Sequence, residues 1–160
     1  MTRAGNQVLT FTLGEETYGV DILRVQEIRG WSAVTRIPQS QAHMLGVLNL
    51  RGSIVPIVDL RMRFSLPRAE YTPLTVIIVL SLESPQGRRD CGLVVDGVSD
   101  VIDVPAGDVK APPELGRQAS IEFIAGLAAV SGRMVMLLDI DRLIGGEVAA
   151  ATSLPVAANA

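Results

Sequence analysis

The stretch GVLNLRGSIVPIVDL runs from Gly46 to Leu60. Two apolar runs flank a Gly-Ser pair, the pattern of a β-hairpin. As a strand, the first run puts Leu48 and Leu50 on one face and Val47, Asn49 and Arg51 on the other. Pro56 lies inside the second run. It has no N–H for a ladder and points to an edge strand or a bulge. The same pattern returns without a gap, at an offset of 80, as GLAAVSGRMVMLLDI. Gly46, Gly52, Val55 and Asp59 then fall on Gly126, Gly132, Val135 and Asp139. A second match, at an offset of 73, lays YGVDILRVQEI over CGLVVDGVSDV. It places Gly19 on Gly92, Val25 on Val98, Glu27 on Asp100 and Ile28 on Val101.

Two matches in the same order point to two related subdomains, with pseudo-repeats near 18–60 and 91–140. This favours two small barrels over one sandwich. Neither half is long enough for a large core, so the halves are expected to share an interface. An exchange of the N-terminal strand between them fits the order of the matches.

Around this frame the chain reads as about ten short strands with few helices, a mainly β pattern. VLTFTLG (Val8–Gly14) alternates as a half-buried strand. YGVDI begins another, and ILRVQEIRG is ambiguous between a helical turn and a strand. PQSQAHML is compatible with one helical turn. TVIIVLSL and CGLVVDGV read as strands on either side of a polar loop, ESPQGRRD. VPAGDVKAPPELG is a Pro/Gly loop, while DLRMRF and DIDRLI read as short helices. A single domain is expected over 1–145, with a flexible tail at 146–160.

Composition narrows the function. The chain has 160 residues, 48% hydrophobic and 4% aromatic, so its core is aliphatic. Net charge is −3 with no basic stripe, which argues against nucleic-acid binding through phosphate neutralisation. Cys91 is the single cysteine, so neither an internal disulfide nor a cysteine-held metal is expected. The N-terminus lacks the apolar core of a signal peptide. The longest apolar run, Val76–Leu80, is far short of a span of ~20 residues, so a cytoplasmic protein without membrane insertion is expected.

No catalytic constellation emerges, and neither an enzyme nor a cofactor is expected. His43, the only histidine, reads as a surface or satisfied residue, and Cys91 as a small buried hydrophobe. Trp31 reads as packing. Asp96, Asp100, Asp103 and Asp108 cluster in sequence, yet valines stand where an oxygen-ligand loop needs ligands. A small enzyme or metal-binding domain built on these aspartates is the alternative from another class.

Together, FTLGEETYGVDILRVQEIRG, TRIP, GVLNLRGSIVPIVDLR, CGLVVDGVSDVIDV and RMVMLLDIDRL resemble the CheW family of chemotaxis coupling proteins, from about Val8 to Leu143. The resemblance implies two intertwined five-stranded SH3-like β-barrel subdomains sharing a core. It implies a non-enzymatic adaptor that couples methyl-accepting chemoreceptors to the histidine kinase CheA in signalling arrays. Its partners would be the kinase regulatory domain and the cytoplasmic tip of the receptors, placing the protein at membrane arrays through protein contacts. An adaptor of a parallel pathway, for surface motility or second-messenger control, is the alternative within the family. By resemblance, Val25, Glu27, Gly46, Arg51, Val98 and Val101 are receptor- or kinase-binding positions. From the residues alone, the three valines are equally core, Glu27 a solvated strand charge and Gly46 a backbone requirement.

Overall fold

The computed structural model describes residues 6–38, 43–64, 66–67, 70–84, 87–111 and 123–143. Ten strands run in order as β1 (Asn6–Leu13), β2 (Glu16–Asp21), β3 (Val25–Gly30), β4 (Met44–Leu50), β5 (Ser53–Asp59), β6 (Val76–Ser84), β7 (Gly87–Val95), β8 (Gly97–Val104), β9 (Ile124–Val130) and β10 (Arg133–Leu138). Helix α1 (Leu60–Arg63) comes after β5, and residues 140–143 are helical after β10. Short 3-10 turns occupy Ile22–Arg24 and Ala106–Asp108. The ambiguous ILRVQEIRG is thus both things in succession, a 3-10 turn and then strand β3.

The strands form two five-stranded sheets, β8-β1-β2-β10-β9 and β3-β6-β7-β5-β4. Sequence order and spatial order are therefore crossed. The opening hairpin β1–β2 joins the sheet of the second repeat, and β6–β7 joins the sheet of the first. The exchange anticipated for one strand involves a two-stranded unit from each half. Its logic is visible at the glycines. Gly92 pairs in parallel with Ile57, and its repeat mate Gly19 pairs in parallel with Leu137, the repeat mate of Ile57. A Cβ on Gly92 would meet Ile57 Cδ1 at 2.6 Å, and one on Gly19 would press into Val8. Bare backbone lets the parallel partners close.

Period-2 alternation gives each sheet two apolar faces. Leu9, Phe11, Leu13, Tyr18, Ile78, Leu80, Leu93 and Val95 meet in one core between the sheets. Phe11 stacks on Tyr18 there, with ring centroids 5.9 Å apart. The other face of the β3–β7 sheet encloses Leu45, Val55, Ile57, Ile77, Val79 and Val94. On the other face of the β1–β10 sheet, Val8, Val104 and Ala128 form a smaller buried cluster among the described residues. This is the architecture of two barrels around a shared core, with the cores unequal in size.

Several local expectations change. Thr10 is fully buried, so β1 is covered on both faces; its hydroxyl donates to the Asp100 carbonyl at 2.9 Å. The ESPQGRRD loop is mostly strand, since β6 pairs with β7 out to Ser84 and Gly87. Pro56 is not on an edge strand, because β5 lies between β4 and β7. Val47 points its N–H and carbonyl at Thr35, so its partner Pro56 turns its nitrogen away from β4. Pairing with β7 starts only at Ile57, and the missing donor costs no ladder bond. The hairpin turn is also one residue earlier than Gly-Ser. Leu50 pairs with Ser53, leaving Arg51 (φ 54°) and Gly52 (φ 89°) as the two central residues. Positive φ at both is the type I′ requirement. Arg51 is thus a turn residue, not the last residue of β4. Residues 39–42, much of APPELG and the expected tail at 146–160 lie outside the described residues.

Candidate functional site

The β4–β5 hairpin projects Arg51 from a turn that its neighbours hold. Asn49 Oδ1 accepts from the Gly52 N–H at 2.9 Å, which explains the polar residue inside an apolar run. Arg51 then reaches back to β3, where its Nη2 donates to Glu27 Oε1 at 3.1 Å. Glu27 also faces Arg29, with Nη1 to Oε2 at 3.7 Å. The guanidinium side chain is 80% exposed and the carboxylate 24% exposed, so the pair is an outward-facing charge with a half-buried base. Val25 and Glu27 flank an irregularity in the β3–β6 register. A bulge of this kind re-aims the side chains around it.

The structure brings Glu27 and Arg51 together and sets the other candidates apart. Val25 and Val98 are repeat mates, and both pack partly buried against the shared core. They stand at or next to the start of the edge strands β3 and β8, just after the chain crosses between sheets. Val101 is exposed on β8 at 47%. Its repeat mate Ile28 is exposed at 46% on β3 between Glu27 and Arg29. Sequence reading passed over Ile28, and also Ile54, which stands exposed beside the Arg51 turn. Their repeat mates Val101 and Met134 are exposed too. Gly46 is a different case. It is buried in β4 with φ 151°, and a Cβ there would come under 3.0 Å from the Thr35 carbonyl. Its place is a backbone contact, not a surface.

Two of the four aspartates, Asp96 and Asp100, are engaged in side-chain contacts within the protein. Asp96 takes Arg61 Nε at 2.8 Å and Nη2 at 2.7 Å, and accepts from the Gly14 N–H at 2.7 Å. The Arg61 guanidinium, with help from the Gly14 amide and against partial burial, holds the Asp96 carboxyl below its usual range. The same pair raises Arg61. Asp100 is turned to Thr10. Among the described residues no group of three or more His, Cys, Asp or Glu side chains could hold a metal ion. Trp31 stacks on Tyr71 at 4.2 Å, and Cys91 is fully buried in the shared core. Among the described residues no helix is long and apolar enough to cross a membrane.

Comparison with known proteins agrees with this architecture. The family model for the CheW-like domain matches residues 7–148. The chemotaxis protein CheW of Klebsiella aerogenes is 47% identical over 143 residues, covering 89% of this chain and 84% of the relative. That of Rhizobium meliloti is 37% identical, covering 92% of each. The crystal structure of the scaffolding protein TtCheW from Thermoanaerobacter tengcongensis superposes with a TM-score of 0.78 at 28% identity, over 88% of this chain and 92% of that one. With its crossed sheets, its shared core and a family match running over nearly the whole of both repeats, the chain belongs to the CheW-like family.

Proposed function

We propose that this chain is a non-enzymatic chemotaxis adaptor that binds the cytoplasmic tip of methyl-accepting receptors and the regulatory domain of the histidine kinase CheA. It would work in the cytoplasm, at receptor arrays, through protein contacts alone. The observation that carries the site is a difference between repeat mates. Asp100, exposed on β8, is held by the buried Thr10 hydroxyl, whereas Glu27, 24% exposed, accepts from Arg51, whose side chain is 80% exposed. A receptor tip is a helical bundle, and an aliphatic surface rimmed by charge suits a helix face. Arg51, fixed at its base by the turn, can exchange Glu27 for a carboxylate of the helix in bidentate geometry. Val25 and Ile28 supply apolar surface on the opposite face of the same edge strand, across the sheet edge from the ion pair. Val98 and Val101 carry the corresponding surface on β8 and belong to the same binding proposal. Gly46 takes part by holding β4 against Thr35.

A pull-down with full-length kinase and a receptor signalling fragment tests the reading. The wild-type chain should retain both. Arg51→Glu should lose the receptor fragment at least tenfold while keeping the kinase and its fold. Wild-type retention of the receptor by that variant would remove Arg51 from the site. Retention of neither partner by the wild-type chain would remove the adaptor reading. Restored swimming in a strain lacking its own adaptor separates this pathway from a parallel one.

A further inference from the structure

The tip of the β4–β5 hairpin meets β3 through three charged side chains, and the second repeat does not copy them. Glu27 and Arg29 alternate along β3 on one face, beside Val79 and Ile77 of β6, and so lie on the side of the larger barrel core. The carboxylate meets two cations there, one at each oxygen. Arg51 Nη2 donates to Oε1 at 3.1 Å, and Arg29 Nη1 stands 3.7 Å from Oε2. At the offset of 73 the mates of Glu27 and Arg29 are Asp100 and Ile102. Asp100 accepts from the Thr10 hydroxyl, and Ile102 packs with Val8 and Val104. Arg29, like Arg51, is a cation that one copy adds.

The two cations are held differently. Arg51 stands out on its turn, whereas the Arg29 side chain is 32% exposed. Arg29 Nη2 reaches Ser32 Oγ only at 3.5 Å, and its Nε is buried without a hydrogen-bond partner. Its contact with Glu27 is an ion pair too long for a hydrogen bond. The guanidinium therefore sits beside the carboxylate with donors to spare. When Arg51 turns out to a carboxylate of a partner, Glu27 loses its hydrogen bond while it stays half-buried on the core side of β3. An uncompensated carboxylate in such a place is costly. Its neighbours on β6, Val79 and Ile77, carry neither a charge nor a side-chain donor. Arg29 is the cation already in place.

We infer that Arg29 is a positioning residue for partner binding, keeping the Glu27 carboxylate compensated while Arg51 exchanges it for a carboxylate of the partner. Two guanidinium groups against one carboxylate leave this site with a net positive charge, which suits an acidic segment of that partner. Arg29 acts through Glu27 and makes no partner contact of its own. The inference rests on the adaptor reading of Arg51 and names the residue that lowers the cost of its exchange.

Calorimetry of the full-length chain with a receptor signalling fragment tests it. Arg29→Gln should weaken binding about tenfold, the scale of one half-buried charge left without its partner, with the melting temperature almost unchanged. In a Glu27→Gln background there is no carboxylate to compensate, and adding Arg29→Gln should change the affinity by less than about twofold. Arg29→Lys keeps the cation and should recover most of the loss. Binding by Arg29→Gln should also take up a proton below neutral pH, because a buried carboxylate left unpaired neutralises. The uptake appears as a binding heat that varies with the ionisation enthalpy of the buffer, and the affinity of this variant should rise as pH falls. The wild-type chain should show neither. Three results would overturn the inference: wild-type affinity in Arg29→Gln, the same loss with and without the Glu27 carboxylate, or no proton uptake. Absence of binding by the wild-type chain would remove the adaptor reading, and this inference with it.

Discussion

The β4–β5 and β9–β10 hairpins share one pattern and present different things. Each turns through two residues of positive φ, Arg51 and Gly52 in one, Ser131 and Gly132 in the other. Each is braced by a bridge on its outer side, Thr35 to Val47 and Lys110 to Leu127. Each ends in an aspartate that caps a helical turn. These shared devices make the fold. The differences fall into two groups. Leu48 against Ala128 changes how full the barrel is. Asn49 and Arg51 against Ala129 and Ser131 change what the tip offers to another molecule. A repeat within one chain acts as its own control: what both copies keep is architecture, and what one copy adds needs another reason.

The largest effect should separate Gly46 from Gly126. A Cβ on Gly46 meets the backbone carbonyl of Thr35, at a φ that L-residues avoid. Backbone cannot step aside, so Gly46→Ala should cost about 3 kcal/mol. A Cβ on Gly126 meets Val109 Cγ1 at 2.5 Å, a side chain that can turn, and stays 3.2 Å from the Lys110 carbonyl, the counterpart of Thr35. Gly126→Ala should cost roughly 1–2 kcal/mol. Urea denaturation of both variants measures the difference. Equal losses would mean that the bridge at Thr35 is not the rigid element that the geometry makes it.

A smaller effect concerns the ion pairs where the chain crosses between sheets. Arg61 binds Asp96, and its mate Asp141 binds Arg24 through Nη1 at 3.1 Å and Nη2 at 2.7 Å, so the same bridge is built with reversed charge. Asp96→Asn should cost about 1 kcal/mol at neutral pH, the scale of a partly exposed, well-aligned pair. The Asp96 carboxyl sits below its usual range, chiefly through Arg61. A depressed carboxyl stabilises the fold above its unfolded pKa, and that contribution is lost as pH falls through the folded value. The gap between wild type and Asp96→Asn should therefore narrow steadily in acid and close below the folded pKa. A gap independent of pH would mean that the loss does not come from the charge of the Asp96 carboxylate. Exchanging the charges, with Arg61→Asp and Asp96→Arg together, should restore only part of the stability, because the Gly14 N–H then loses its acceptor.

Much of this comparison was legible in the sequence because repeats leave a register. The two offsets located all four repeat partners of the parallel contacts, and the apolar alternation placed β1, β4, β5 and β10. What failed was chemistry that sequence does not encode locally. Thr10 reads as a solvent-facing residue because alternation takes no account of Asp100, distant in sequence, whose backbone and carboxylate satisfy it. Arg51 reads as a strand residue because a non-glycine at positive φ carries no mark in Leu-Arg-Gly. The partnership of Glu27 with Arg51 depends on where the hairpin tip lands relative to β3, which only the packed sheet determines. Ile28 was hidden by being apolar, and its exposure comes from β3 lying at the sheet edge.

The smallest effect on stability should come with the largest on binding, at the hairpin tips. Asn tolerates the left-handed region that Arg51 occupies, so Arg51→Asn keeps the turn and removes only the guanidinium. The exposed pair with Glu27 contributes less than ~1 kcal/mol, and the melting temperature should barely move. Affinity for a receptor signalling fragment, measured by calorimetry, should nonetheless fall at least tenfold. Ser131→Arg places a guanidinium on the same turn of the other hairpin, where Asp100 is held by Thr10 and Ala129 cannot brace the turn. It should add no affinity to the wild-type chain and rescue none in Arg51→Asn. If Ser131→Arg restored binding, the charge alone would suffice and the architecture around Glu27 would be incidental. If Arg51→Asn bound as the wild type does, the asymmetry between the hairpins would belong to folding rather than to recognition.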